Sequence, residues 1–164
     1  MKHELVFLRH GKSVYPHGVP DHDRPLAPRG HRQAHAAGEW INDKVGEFDL
    51  ILCSTSKRTR MTLEEAGLEG PIKYLDELYE HAHVSYLEII AEHGADVHKL
   101  AVVGHEPAIS ATALALAANR DSAAARRLEH KFPTSGIAVL SGPLKFRDLK
   151  TGHFSLEHFH AAGR

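Results

Sequence analysis

The sequence predicts an α/β fold, a three-layer sandwich in which helices cover both faces of a mostly parallel sheet. Three observations predict it. Short apolar runs at residues 5–8, 48–53 and 100–104 read as buried strands. Each is followed by polar residues and then by a segment whose apolar side chains recur at three- and four-residue spacing. The last such strand-to-helix step gives way to strand signals without intervening helices, which places antiparallel strands at one edge.

The elements follow in order. Leu5-Val6-Phe7-Leu8 ends in Arg9-His10-Gly11, and residues 15–25 are polar and rich in proline and histidine, as a loop over the sheet edge would be. Pro28 suits the first turn of a helix, whose face is marked by Ala34, Ala37, Ile41 and Val45 and which runs to about Lys44. After the second strand, Ser54-Thr55-Ser56 offers capping oxygens for a helix over residues 58–66. Residues 72–75 read as a weaker third strand, and Val84, Leu87, Ile90 and Ala91 mark a helix closing near Gly94. Leu100-Ala101-Val102-Val103-Gly104 is the clearest buried strand; His105-Glu106-Pro107 then opens an alanine-rich helix reaching about Ala118. A helix near residues 122–130, a strand at 136–140 and a hairpin around Lys150-Thr151-Gly152 complete the chain.

Composition bounds what these elements can do. At 164 residues, with 42% hydrophobic and 25% charged side chains, the chain fits a single domain over residues 1–164. A net charge of −1 gives no electrostatic case for nucleic acid or an anionic membrane, so any anion site must be local. Lone Cys53 excludes an internal disulfide framework, and neither a cleavable apolar leader nor an apolar span of about 20 residues is present. A cytoplasmic location is the resulting expectation. Fifteen histidines invite a metal reading, yet no His-Glu-x-x-His or paired-cysteine pattern occurs. His81 with His83, or His158 with His160, would chelate only weakly, so no metal site is predicted.

In a parallel sheet the carboxyl ends of the strands share one edge, where ligands bind. Arg9 and His10, then Ser54 through Arg58, then His105 would meet there. Guanidinium groups bind phosphoryl oxygens through paired hydrogen bonds, and a neutral imidazole is a competent nucleophile near neutral pH. Helix amino-termini after Ser56 and Glu106 would add backbone donors. Gly11 would leave the approach uncrowded. Taken singly, each position reads equally well as a strand end meeting water, a surface ion pair or a capped junction.

Four blocks change that balance: Leu8-Arg9-His10-Gly11-Lys12-Ser13, Asp23-Arg24-Pro25-Leu26-Ala27-Pro28-Arg29-Gly30, Cys53-Ser54-x-x-x-Arg58-Thr59-Arg60-x-Thr62, and Val103-Gly104-His105-Glu106-Pro107. In this order they resemble the histidine phosphatase superfamily, and the short chain with its Asp-Arg-Pro-Leu segment is most similar to the bacterial SixA-type phosphohistidine phosphatases. The resemblance reaches at least Gly136. It implies a phosphoglycerate mutase-like fold in minimal form, without a large lid insertion. It also implies that His10 is the nucleophile, that Arg9, Arg58 and His105 complete the phosphate pocket, and that no cofactor or metal takes part. Glu80, in Leu78-Tyr79-Glu80, is the implied proton donor, with Glu77 or no carboxylate as alternatives.

Some positions depart from the family pattern. Gly11 stands where alanine is frequent, Thr55 where proline is, Met61 where glutamine is, and Ala27 where a capping threonine is; none removes a catalytic group. Short connections predict an open, shallow site suited to a phosphorylated side chain on a protein. The leading expectation is a monomeric phosphatase acting on phosphohistidine of a histidine phosphotransfer domain. A small-molecule phosphomonoesterase is the alternative within the class, and a non-catalytic phospho-group or metal-responsive binding protein the alternative outside it.

Overall fold

Residues 2–80 and 85–161 are described by the computed structural model. Six strands, β1 (His3–Arg9), β2 (Leu50–Ser54), β3 (Ile72–Leu75), β4 (Lys99–Gly104), β5 (Gly136–Gly142) and β6 (Ser155–Ala161), form one sheet in the order β3-β2-β4-β1-β5-β6. The first four run parallel, whereas β5 and β6 are antiparallel to their neighbours.

Among the described residues five helices cover the sheet: α1 (Pro28–Lys44), α2 (Lys57–Ala66), α3 (Tyr86–Gly94), α4 (Ala108–Leu116) and α5 (Ala123–His130). Period-two alternation divides each strand between two cores. Val6 and Leu8 pack with Ile51, Cys53, Ala101 and Val103 beneath Ala37 and Ile41 of α1 and Leu63 of α2. Leu5 and Phe7 point the other way, joining Leu52, Leu100 and Val102 against Ile90 of α3, Ile109 and Ala113 of α4 and Leu128 of α5. Because β1 and β4 bury both faces, they read as continuous apolar runs rather than alternating ones. Edge strand β3 reads weakly because Ile72 and Tyr74 stay exposed.

Helix boundaries follow local chemistry. Ser56, Ser85 and Ser122 each accept a hydrogen bond from the backbone N–H three residues on, capping α2, α3 and α5. Ala27 makes no such bond at the start of α1; instead its own N–H donates to the Lys12 carbonyl at 2.8 Å, so tertiary contact with the segment after β1 anchors the entry. The approach is tight. A β-carbon on Gly30 would lie 2.0 Å from that Lys12 carbonyl oxygen, and one on Gly11 would lie 2.6 Å from the Gly30 carbonyl oxygen. Gly11 is therefore also required by its packing against α1.

Residues 15–25 form a loop, as expected, with a short 3-10 turn at Asp21–Asp23. One expectation needs correction. The β5–β6 hairpin does turn at Gly152, where φ is +72°, yet its connection spans residues 143–154. Phe146 and Phe154 are fully buried, and drawing both into the core requires the longer path. Val84, counted on the face of α3, and the His81/His83 pair lie outside the described residues.

Candidate active site

Strand register brings the predicted residues to one edge. Arg9 pairs with Gly104 and Cys53 with Val103, so His10, Ser54 and His105 emerge side by side from β1, β2 and β4. The ladder continues past β1, because the His10 N–H donates to the Gly104 carbonyl at 3.2 Å. The His10 and His105 rings stand 5.3 Å apart between centroids.

His10 is 8% exposed. Its Nδ1 lies 2.8 Å from the Gly11 carbonyl, which can only accept, so Nδ1 carries the proton and Nε2 keeps its lone pair. Burial lowers the imidazole pKa to about 4; the Gly11 bond opposes this, whereas the positive charges of Arg58, Arg9 and Arg24 reinforce it. The ring is neutral at pH 7.

Each arginine of the predicted pocket is tethered at one end. Arg9 donates from Nη1 to the Phe132 carbonyl at 2.7 Å. Arg58 donates from Nη1 to the Asp21 carbonyl at 2.8 Å and from Nη2 to the Asp21 carboxylate at 3.1 Å. In both, the Nε–H is buried and has no hydrogen-bond partner among the described residues. Two tethered guanidiniums acting on the His10 ring make a local positive site suited to an anion. His105 is fixed through Nε2, 2.9 Å from the Ser54 hydroxyl, and through its backbone N–H, which donates to the Tyr86 hydroxyl at 3.2 Å.

The carboxylates are distributed differently from expectation. Glu80 is exposed, and among the described residues no hydrogen bond or ion pair joins it to His10, Arg9, Arg58 or His105. Glu77 faces His93 of α3 at 4.0 Å. Glu106 caps α4, accepting from the Ser110 N–H at 2.8 Å and the Ser110 hydroxyl at 2.7 Å, so the first turn of that helix already has an anion.

Several functional neighbours were not singled out from sequence. Asp21 gathers the Tyr79 hydroxyl at 2.7 Å, Arg24 Nε at 2.9 Å and Arg58 Nη2; these bonds, that of Tyr79 foremost, hold its carboxyl well below the usual range. Arg24 itself is buried and donates to the Ser13 hydroxyl at 2.7 Å. Thr62 accepts the Gly11 N–H at 2.9 Å and donates to the Arg58 carbonyl at 2.7 Å, coupling nucleophile loop to arginine. Ser135, fully buried with φ +54°, donates its N–H to the His10 carbonyl at 2.9 Å. Arg24 and Thr62 lay inside the quoted blocks. The Pro133-Thr134-Ser135-Gly136 turn was the available signal for Ser135.

His158 and His160 lie on β6 beside Trp40, and the His160 ring stacks on the indole at 4.7 Å. Among the described residues, no group of three or more His, Cys, Asp or Glu side chains is arranged to hold a metal, and no helix is long and apolar enough to cross a membrane.

With nucleophile candidate, tethered guanidiniums and second histidine on one sheet edge, the family model of the histidine phosphatase superfamily (branch 1) matches residues 5–141. The chain belongs to that superfamily and is a phosphohydrolase of the histidine phosphatase kind. It is 46% identical over 155 residues to an uncharacterized protein of Mycobacterium tuberculosis, spanning 93% of this chain and 98% of that one. A structure provisionally named phosphohistidine phosphatase SixA from Nakamurella multipartitia superposes with a TM-score of 0.87 at 35% identity, covering 99% of this chain and 97% of that one. A similarly named structure from Agrobacterium tumefaciens gives 0.81 at 31% identity, with 96% of each chain covered. The fold is the phosphoglycerate mutase-like three-layer sandwich without a large insertion.

Proposed function

We propose that this protein removes the phosphoryl group from phosphohistidine on a partner protein, passing it through His10. The observation that carries the reading is the grouping of two tethered guanidiniums with a buried imidazole whose Nδ1 is held by the Gly11 carbonyl and whose Nε2 has no hydrogen-bond partner among the described residues. In this reading Nε2 of His10 attacks phosphorus in line, the P–N bond to the substrate imidazole breaks, and that ring, already protonated on its other nitrogen, leaves with the electron pair as neutral imidazole. Water then attacks phosphorus, the P–Nε2 bond breaks, and inorganic phosphate departs. Arg9, Arg58 and His105 hold the equatorial oxygens as charge redistributes, the main contribution a protein makes to phosphoryl transfer.

The substrate follows from the proton budget. An imidazole leaving group needs little help, whereas an alkoxide needs a proton in the transition state. We assign that donor role to Glu80 for ester substrates. Its exposure and lack of contact with the cluster suit a site in which acid catalysis is dispensable. The absence of a large insertion supports a target as bulky as a histidine phosphotransfer domain. The reading includes action as a monomer, one domain over residues 1–164, and a cytoplasmic location, where a free thiol such as Cys53 stays reduced.

Mass spectrometry after rapid quenching at alkaline pH tests the mechanism: a phosphate adduct is expected on wild type and absent from His10→Ala. Turnover of protein phosphohistidine should exceed that of simple phosphomonoesters. Brisk ester hydrolysis with untouched phosphohistidine would instead favour a small-molecule phosphomonoesterase. Tight anion binding without adduct or turnover would mark a binding module.

A further inference from the structure

Among the described residues, Tyr15 is the most exposed large side chain of the aromatic and aliphatic class, at 78%, yet it is not loosely held. The Arg24 guanidinium carbon sits 3.9 Å above its ring centroid. Arg24 cannot drift, being 8% exposed and bonded to Asp21, Ser13 and the Val14 carbonyl. The backbone just before the ring is also fixed. Ser13 bridges to Leu26, and the Val14 N–H donates to the Pro25 carbonyl at 3.1 Å.

This pedestal stands beside the phosphate pocket. Four residues separate Tyr15 from His10, and Arg24 beneath the ring shares the Asp21 carboxylate with Arg58. Arg24 also acts electrostatically on His10. One face of the ring is covered by a cation while most of the side chain meets solvent. Burial of its own apolar surface therefore does not account for the residue, since little is buried. A rigid aromatic with an open face, seated on an arginine that shares Asp21 with Arg58 of the pocket, is suited to a planar group attached to a bound phosphoryl group.

We propose that Tyr15 is a stacking platform selecting substrates whose phosphoryl group is carried by a planar ring, such as the imidazole of phosphohistidine. The inference rests on the phosphohistidine reading for the identity of that ring, but ring recognition itself can be tested without turnover. Stacking on a pre-ordered aromatic is worth roughly threefold to tenfold in affinity. Arg24 also pre-pays the ordering of the side chain, which keeps that gain from being spent on immobilising it.

The test compares binding of phenylphosphonate and methylphosphonate, by calorimetry or NMR titration, to wild type, Tyr15→Phe and Tyr15→Leu. Neither ligand has a bond this enzyme can hydrolyse. Wild type and Tyr15→Phe should prefer the ring-bearing ligand by at least about threefold, and in Tyr15→Leu the ratio should fall toward one. Unfolding midpoints of the three proteins establish that each is folded. A ratio unchanged in Tyr15→Leu, or both ligands weakened alike, would show that Tyr15 merely supports Arg24 and overturns the proposal. So would a wild type without ring preference. Parallel turnover of a phosphohistidine protein keeps the two readings separate: ring preference without phosphohistidine turnover sinks the substrate assignment and leaves the platform standing.

Discussion

Acidification should protonate His10 far later than an ordinary histidine. Burial and the neighbouring arginines lower its pKa from 6.5 to about 4. At about pH 5.5 such a ring is only ~3% protonated, whereas an unperturbed one would be about 90% protonated. The nucleophile thus persists in acid, and single-turnover phosphorylation of His10 should be nearly as fast there as at neutral pH. The same shift links to stability. As pH falls below 6.5 the unfolded chain takes up a proton that folded His10 refuses, so stability is lost from pH 6.5 down to about 4 and the loss then levels off. Its size, from the shift, is about 3 kcal/mol. Ring C–H chemical shifts, followed by NMR from neutral to acid pH in buffer free of phosphate and sulfate, read the midpoint directly. Urea unfolding of wild type and His10→Asn over the same range isolates the stability component. A His10 midpoint at or above 6.5 would refute the reasoning, since it would mean that water or a fixed anion reaches the ring.

Other perturbations address single contacts. Arg58→Lys retains charge but loses the forked geometry that bonds Asp21 through two nitrogens; kcat/KM should drop by about 100-fold or more in steady-state assays. Glu80→Gln should slow ester hydrolysis by about tenfold or more while changing phosphohistidine turnover less than about threefold, the difference being the proton an alkoxide requires. Tyr86→Phe removes the hydroxyl that donates to the Leu78 carbonyl at 2.7 Å and accepts the His105 N–H; both buried groups lose their partner, and denaturant unfolding should show a loss of about 1–3 kcal/mol.

Much of the fold was legible because burial imposes periodicity. The doubly buried strands β1 and β4 require continuous apolar runs, and serines at the starts of α2, α3 and α5 supply the capping oxygen that a helix end lacks. The segments just after β1, β2 and β4 also pointed to Arg9, His10, Arg58 and His105. Ala27 shows where local chemistry falls silent, since its helix is anchored by Lys12 from another segment, a contact without any side-chain signature. The β5–β6 connection was misread for a related reason: a turn residue is visible in sequence, whereas the demand of Phe146 and Phe154 for burial is not.

Sequence by itself determined the layered α/β architecture, the family and the residue types available for phosphoryl transfer. Only the tertiary structure decided which nitrogen of His10 holds the proton, that Asp21 binds both Arg24 and Arg58, and that Tyr15 lies over a buried guanidinium. The physical reason is reach. Capping, turn formation and strand alternation act between residues a few positions apart and leave a pattern in the chain. Hydrogen bonds such as that between Gly11 and Thr62 join residues 51 positions apart, and their geometry exists only once the sheet has set the register.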